Sequence, residues 1–337
     1  MEKNGRKKPE SLSISDMNQK TAIITGITGQ DGAYLAQILL NKGYKVIGLT
    51  RGYSTDSLRG ISYLGIKEKI TLFTCDLLDI SQIIKLLKDV SPSEIYNLAA
   101  QSSVSLSFQQ PIGTFQFNTI SVFNLLEAIK MVDNSIKFYQ ASSSEMYGKV
   151  NELPITEKSV LHPLSPYAIS KAAAHFTCIH YRESYNLHIS CGVLFNHESY
   201  LRTNTFFVKK VIQDSIKISR GQQDFLNVGN IDIKRDFGYA PKYTEAMYLM
   251  LQQESPSDYL ICSGETISLR DIIYYIFGKL SIPHNLCRID QHLYRPAEIT
   301  DMFGNNAKAK SALGWQYDLN IYQTLDLLLA EELQNSI

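Results

Sequence analysis

Apolar residues along this chain alternate between short strand-like runs and longer stretches of helical periodicity. Thr21 to Thr25 is a β-branched, apolar run and reads as a buried strand. Ala33 to Asn41 has helical spacing and stops before Gly43, a residue suited to a helix C-terminus. Lys45 to Thr50 is a second strand, so the first thirty or so residues of regular pattern make a βαβ unit. The alternation continues. Ile70–Cys75, Glu94–Leu98, Lys137–Ala141 and Ile189–Phe195 read as strands, with Ser81–Val90, Thr119–Met131 and Pro166–Tyr185 as helices. Asn196 to Arg235 reads as irregular. Tyr243–Gln253 is helical again, Tyr259–Cys262 is a last sheet strand, and Ile267 onward forms a smaller α/β lobe. Strands alternating with helices predict a parallel sheet covered on both faces.

Composition narrows the class. Apolar residues make up 44% and charged residues 20% of 337, the profile of a globular protein. Thirty-three basic and 33 acidic residues balance, which argues against a nucleic-acid or membrane-surface partner. No apolar run is long enough to span a bilayer. Residues 1–20 are polar, carry Lys3, Arg6, Lys7 and Lys8, and read as a flexible tail without a signal-peptide core. The cysteines are Cys75, Cys178, Cys191, Cys262 and Cys287. An odd, scattered set suits free thiols and a cytoplasmic location. Histidines show no metal-ligand spacing, so no metal site is expected.

The candidate chemistry begins after the first strand. Gly26-Ile27-Thr28-Gly29-Gln30-Asp31-Gly32 is a G-x-x-G-x-x-G turn between a strand and a helix. Glycines there let backbone N–H groups approach a pyrophosphate at a helix N-terminus. The fold expected is therefore α/β, a Rossmann-type doubly wound parallel sheet with a smaller C-terminal α/β lobe. The dinucleotide domain is expected over 21–195 plus about 236–263, and the substrate lobe over about 196–235 plus 264–337. The second strand ends Thr50-Arg51-Gly52, followed by Ser54, with no acidic residue to bond a ribose 2′-hydroxyl. A guanidinium there suits a 2′-phosphate, so Arg51, helped by Arg59, predicts NADP. Asp76-Leu77, after the third strand, falls where an adenine contact is expected.

Tyr167-Ala168-Ile169-Ser170-Lys171 places a phenol and an ammonium on one helix face. The cation is expected to favour the phenolate, so Tyr167 can take a proton from a sugar hydroxyl. Ser165-Pro166 starts that helix, and the rim at Ser142-Ser143-Ser144-Glu145 adds a hydroxyl and a carboxylate. A ketoreductase has no use for Glu145. A dehydratase needs such a base at C5.

The chain resembles the extended short-chain dehydrogenase/reductase superfamily and, within it, the GDP-mannose 4,6-dehydratase family. The likeness runs from about Thr21 to Tyr317. It rests on the glycine turn, on Asn97 to Ser102, on Tyr139 to Glu145 and on Tyr181 to Tyr185. Leu194 to Ser199, Gly229-Asn230, Arg235 to Gly238, Arg295 to Glu298 and Leu313 to Trp315 extend it. The resemblance implies Ser143, Glu145, Tyr167 and Lys171 as catalytic residues. It implies cofactor contacts at Gly26, Thr28, Gly29, Gln30, Asp31, Gly32, Leu98, Ala99, Ala100, Ser102, His197 and Arg202. It implies a GDP-sugar held by Ser102, Ser144, Asn196, Lys210, Arg235, Arg295 and Glu298. The implied reaction is C4 oxidation, loss of water across C5 and C6, and hydride return to C6.

Departures bear on the sugar and the assembly. Ser143 stands where the family has threonine, and Leu164, Gly52 and Leu201 stand where it has arginines. The resemblance implies a homo-oligomer, and these changes leave dimer and tetramer both open. They also leave GDP-mannose and GDP-D-glycero-D-manno-heptose as candidate substrates. A GDP-sugar 4-reductase or epimerase on the same fold is the alternative.

Overall fold

The computed structural model describes residues 19–52 and 58–335. Ser54 and residues 1–18 of the expected tail lie outside the described residues. The first half runs β1 (Thr21–Thr25), α1 (Gln30–Asn41), β2 (Lys45–Thr50), α2 (Arg59–Tyr63), β3 (Ile70–Thr74), α3 (Ile80–Val90) and β4 (Glu94–Asn97). Next come α4 (Val104–Gln109), α5 (Pro111–Val132), β5 (Lys137–Ser143), α6 (Pro166–Tyr185) and β6 (Ile189–Leu194). Then follow β7 (Asn196–Glu198), α7 (Phe207–Ser219), β8 (Leu226–Val228), β9 (Lys234–Arg235), β10 (Phe237–Tyr239), α8 (Ala240–Leu251) and β11 (Asp258–Ile261). The chain closes with β12 (Ile267–Ser268), α9 (Leu269–Lys279), β13 (Cys287–Ile289), α10 (Ala307–Leu313) and α11 (Ile321–Asn335).

Among the described residues, seven strands form one parallel sheet in the order β11-β6-β5-β4-β1-β2-β3. The order reverses at β1, between β2 and β4. A crevice opens there outside the C-terminal strand ends, the place where such sheets bind ligands. One face of the sheet is covered by α1 and α8, whose Leu35, Leu39, Met247 and Met250 share one core with Ile24 and Tyr96. The other face is covered by α3, α5 and α6 through Leu87, Leu126, Ala174 and Cys178. The inner strands are buried on both sides, so they read as continuous apolar runs, whereas the edge strand β3 is largely exposed.

The segment expected to be irregular holds a thirteen-residue helix, α7. Val208, Val211, Ile212 and Ile216 recur at helical spacing and pack on α9 and α11 in a separate lobe core. The long helix expected from Thr119 begins at Pro111, which takes a first-turn position where its missing N–H costs nothing. The lobe boundary expected at residue 264 is not sharp. Ala309, Leu313, Trp315 and Tyr317 return to the core around α1 and α8. Among the described residues no helix is long and apolar enough to cross a membrane, and no cluster of three or more His, Cys, Asp or Glu could hold a metal ion.

Candidate active site

The rim of the crevice is built from a chain of side chains across three strands. Thr25 Oγ1 donates to Asn97 Oδ1 at 2.7 Å, and Asn97 Nδ2 donates to Gln140 Oε1 at 2.8 Å. Thr25 Oγ1 also accepts the N–H groups of Leu98 and Ala99, each at 3.0 Å, which fixes the loop after β4 against the glycine turn. That closeness requires glycine. Gly26 has φ +70°, and a Cβ on it would lie 2.9 Å from the Ala99 nitrogen. A Cβ on Gly32 would lie 2.4 Å from the Gly26 carbonyl oxygen. A side chain at either position would displace backbone.

The glycine turn floors a cleft of about 390 Å³. Gly26, Thr28, Gly29, Gln30, Asp31, Gly32, Arg51, Leu77, Leu98, Ala99, Ala100, Ser102 and Arg202 line it. Thr50 Oγ1, which faces the end of β2, is buried without a hydrogen-bond partner among the described residues. The Arg51 guanidinium lies 5.0 Å from the Phe117 ring centroid, which holds a cation at that end. A cradle that only glycines permit and an unpartnered hydroxyl fit a dinucleotide. Asp76 does not line the cleft, because its Oδ1 accepts the Leu78 N–H at 3.0 Å.

A second cleft of about 230 Å³ shares Asp31, Leu98, Ala100, Ser102 and Arg202 with the first. Ser143, Ser144, Glu145, Tyr167, Lys171, Asn196, His197, Arg235 and Arg295 line it. The α6 start carries Tyr167 into it. Ser165 caps the helix by accepting the Ala168 N–H at 3.1 Å, and Pro166 follows. Asn118 Nδ2 donates to Ser170 Oγ and to the Gln101 carbonyl, each at 3.0 Å, and thereby ties α6 to the loop after β4. Asn118 is a positioning group that sequence spacing did not single out. Glu198, 3% exposed and facing Arg202 Nε at 3.8 Å through Oε2, is another cleft residue it missed.

The electrostatics differ from the expected pattern in one respect. Lys171 Nζ donates to the Ala141 carbonyl at 2.9 Å and lies 5.9 Å from the Tyr167 ring centroid. Burial pushes its ammonium down to about 8. Burial likewise pushes the Tyr167 phenol up to about 12, against the pull of the Ser143 hydroxyl and the Arg202 guanidinium. Ser143 and Arg202 both favour the phenolate here, and Lys171 on α6 bonds the neighbouring strand β5. Glu145 is close enough to disfavour the phenolate.

Two residues expected at the sugar nucleotide are elsewhere. The Lys210 ammonium pairs with Asp214 on its own helix and does not line either cleft. Glu298 is also outside the lining, with Oε1 accepting the Arg295 N–H at 3.3 Å. Arg235, 6% exposed, uses Nη1 on the Lys234 and Ile299 carbonyls at 2.7 and 2.6 Å. Asn196 Nδ2 donates to the Asp236 carbonyl at 3.3 Å.

The family model described as GDP-mannose 4,6 dehydratase matches residues 23–327. The chain belongs to that family. Among similar relatives, the GDP-mannose 4,6 dehydratase of Dictyostelium discoideum is 38% identical, covering 94% of this chain and 96% of its own. GDP-mannose 4,6 dehydratase 2 of Arabidopsis thaliana is 40% identical, covering 97% and 90%. Among solved structures, RMD from Pseudomonas aeruginosa complexed with NADPH superposes with a TM-score of 0.77 at 26% identity, covering 93% of this chain and 98% of that one. DesIV, a dTDP-glucose 4,6-dehydratase from Streptomyces venezuelae with NAD and TYD bound, superposes at 0.83 with 19% identity, covering 94% and 97%. The second shares the fold. The family assignment makes the chain an enzyme of the dehydratase, hydro-lyase class, and Glu145 lines the same cleft as Tyr167.

Proposed function

We propose that this enzyme is an NADP-dependent 4,6-dehydratase of a GDP-linked manno-configured sugar, GDP-mannose or GDP-D-glycero-D-manno-heptose. The observation that carries it is the shared cleft of Ser143, Glu145, Tyr167 and Lys171 beside a glycine cradle. The names of the relatives support the sugar, and Arg51 at the end of β2 supports NADP over NAD.

The glycine turn, Arg51 and Arg202 would hold NADP⁺, which would supply a hydride acceptor for C4 and a hydride donor for C6. Tyr167 Oη takes the proton of the C4 hydroxyl, with Ser143 Oγ bonded to the same oxygen. The resulting C4 ketone acidifies C5. Glu145 removes the C5 proton and delivers it to the C6 hydroxyl, which leaves as water. The hydride returned to C6 balances the one removed at C4, C5 takes up one proton from solvent as that hydride adds, and Tyr167 releases the C4 hydroxyl proton to solvent, so no external reductant is consumed. Lys171 holds α6 against β5, Arg202 stands at the junction of the two clefts, and Arg235 and Arg295 supply positive charge for a diphosphate.

The assembly belongs to the same reading. Helices α5 and α6 pack together and leave Ile112, Phe123, Met131, Ile169, Phe176 and Tyr185 exposed. An apolar face of that kind on two adjacent helices suits a second copy of the chain, giving a dimer at the least. Five unpaired thiols among the described residues, four of them buried, suit a reducing cytoplasm.

The test is incubation of the purified protein with each GDP-sugar, without added reductant, followed by mass spectrometry. Loss of one water from either sugar with no net NADPH consumed is the expected result. Reduction or epimerisation of the sugar without water loss would replace this reading with the reductase or epimerase.

A further inference from the structure

A carboxylate sits where an anionic cofactor should meet only donors. Asp31 is the second residue of α1 and lines both clefts. An ionised side chain there opposes a pyrophosphate at the same helix N-terminus. The His197 ring answers it from β7. Its Nε2 lies 2.9 Å from Asp31 Oδ2 and 3.0 Å from Oδ1, and its Nδ1 lies 2.7 Å from the Phe195 carbonyl oxygen. A carboxylate and a carbonyl can only accept, so both ring nitrogens are placed to donate.

The ring is fixed in place on every side. It stacks on Tyr243 with centroids 4.7 Å apart, and Tyr243 is backed edge-on by Trp315. Gln30 Nε2 donates to the His197 carbonyl at 3.2 Å and to Asp31 Oδ1 at 3.0 Å, while Gln30 Oε1 accepts the Ser199 hydroxyl at 2.7 Å. The first turn of α1 is therefore bonded to residues 197–199 through two side chains. Burial would raise the Asp31 carboxyl, yet the pairing with His197 outweighs it and holds that carboxyl below its ordinary value.

We propose that His197 is a positioning residue whose imidazolium neutralises Asp31 and clamps the first turn of α1, so that the cofactor's phosphates meet backbone donors and Arg202 instead of an uncompensated carboxylate. The family resemblance gives His197 a contact with the cofactor. Here both of its ring nitrogens are already engaged within the protein. The proposal rests on the NADP reading above.

The test is NADPH affinity, followed by nicotinamide fluorescence, for wild type, H197Q, D31N and the double variant D31N/H197Q. H197Q leaves Asp31 bare and should weaken binding about 10-fold or more. The double variant should recover to within about 3-fold of wild type, because the repelling charge is gone. The H197Q deficit should also shrink as salt is raised, as a charge effect must. A double variant as weak as H197Q would overturn the proposal. Wild type that binds no NADPH refutes the NADP reading and this proposal with it, whereas wild type that binds, with no recovery in the double variant, refutes this proposal alone.

Discussion

The Lys171 ammonium donates to the Ala141 carbonyl at 2.9 Å, and so ties the helix carrying Tyr167 to the strand carrying Ser143. The nucleus of the site is thus held by a charge buried between two elements. Burial depresses that ammonium from 10.5 to about 8. Below pH 8 the folded and unfolded states are both protonated, and the cost of burying the charge is fully present. Between pH 8 and 10.5 the unfolded chain binds the extra proton, so stability rises with pH. The gain from this group amounts to about 3 kcal/mol over the whole window. Urea unfolding of the cofactor-free protein between pH 7 and about 9.5 should show that rise in wild type and a flatter profile in K171M. Equal slopes would remove Lys171 as the cause.

Glu145 is the residue on which the reaction class turns. E145Q keeps the shape of the cleft but cannot take the C5 proton. Dehydration should fall about 100-fold or more. C4 oxidation should survive, so rapid mixing with the GDP-sugar should leave enzyme-bound NADPH absorbing near 340 nm. An E145Q variant with wild-type turnover would assign the elimination to another base.

Cofactor choice should follow Arg51. Its guanidinium rests over Phe117 at the end of β2, with no carboxylate in Thr50-Arg51-Gly52. R51A should weaken NADP(H) about 10-fold or more and leave NAD(H) nearly unchanged, because only the 2′-phosphate is lost as a partner. Direct titration of both cofactors measures the ratio. Equal loss for both would place Arg51 outside the 2′-phosphate site.

Much of this site was legible in the sequence, and the exceptions have physical reasons. The limits of β1, β2 and α6 match the sequence pattern because glycine, a Ser-Pro start and β-branched runs act locally. The glycine turn and the Tyr167–Lys171 spacing are local for the same reason. Helix α7 was hidden because polar residues at 202–205 precede it and lysines interrupt its face, although Val208, Val211 and Ile212 carry the period. The Asp31–His197 pair joins residues 166 apart, and Asn118 reaches Ser170 across 52. No spacing rule sees such contacts. The helical spacing puts Lys171 and Tyr167 on one face but does not show that the ammonium also bonds a carbonyl of β5.

The exposed face of α5 and α6 should be an interface between copies. Phe176 is 57% exposed at the middle of α6. F176E places a charge in that face, far from the glycine turn in sequence, and should yield a monomer in analytical ultracentrifugation while NADPH binding persists. A variant that sediments as wild type would move the interface to another surface.

The central claim, that water is lost by way of a C4 ketone, is tested most directly by running the reaction in heavy water. The account predicts a 4-keto-6-deoxy product lighter by one water, carrying one deuterium at C5, with the bound NADP(H) unchanged in amount at the end. The C5 deuterium follows because the original C5 proton leaves with the water, so the proton that C5 takes up as hydride adds to C6 comes from solvent. A product that retains its oxygen at C6, or turnover that consumes added NADPH one for one, would contradict the account.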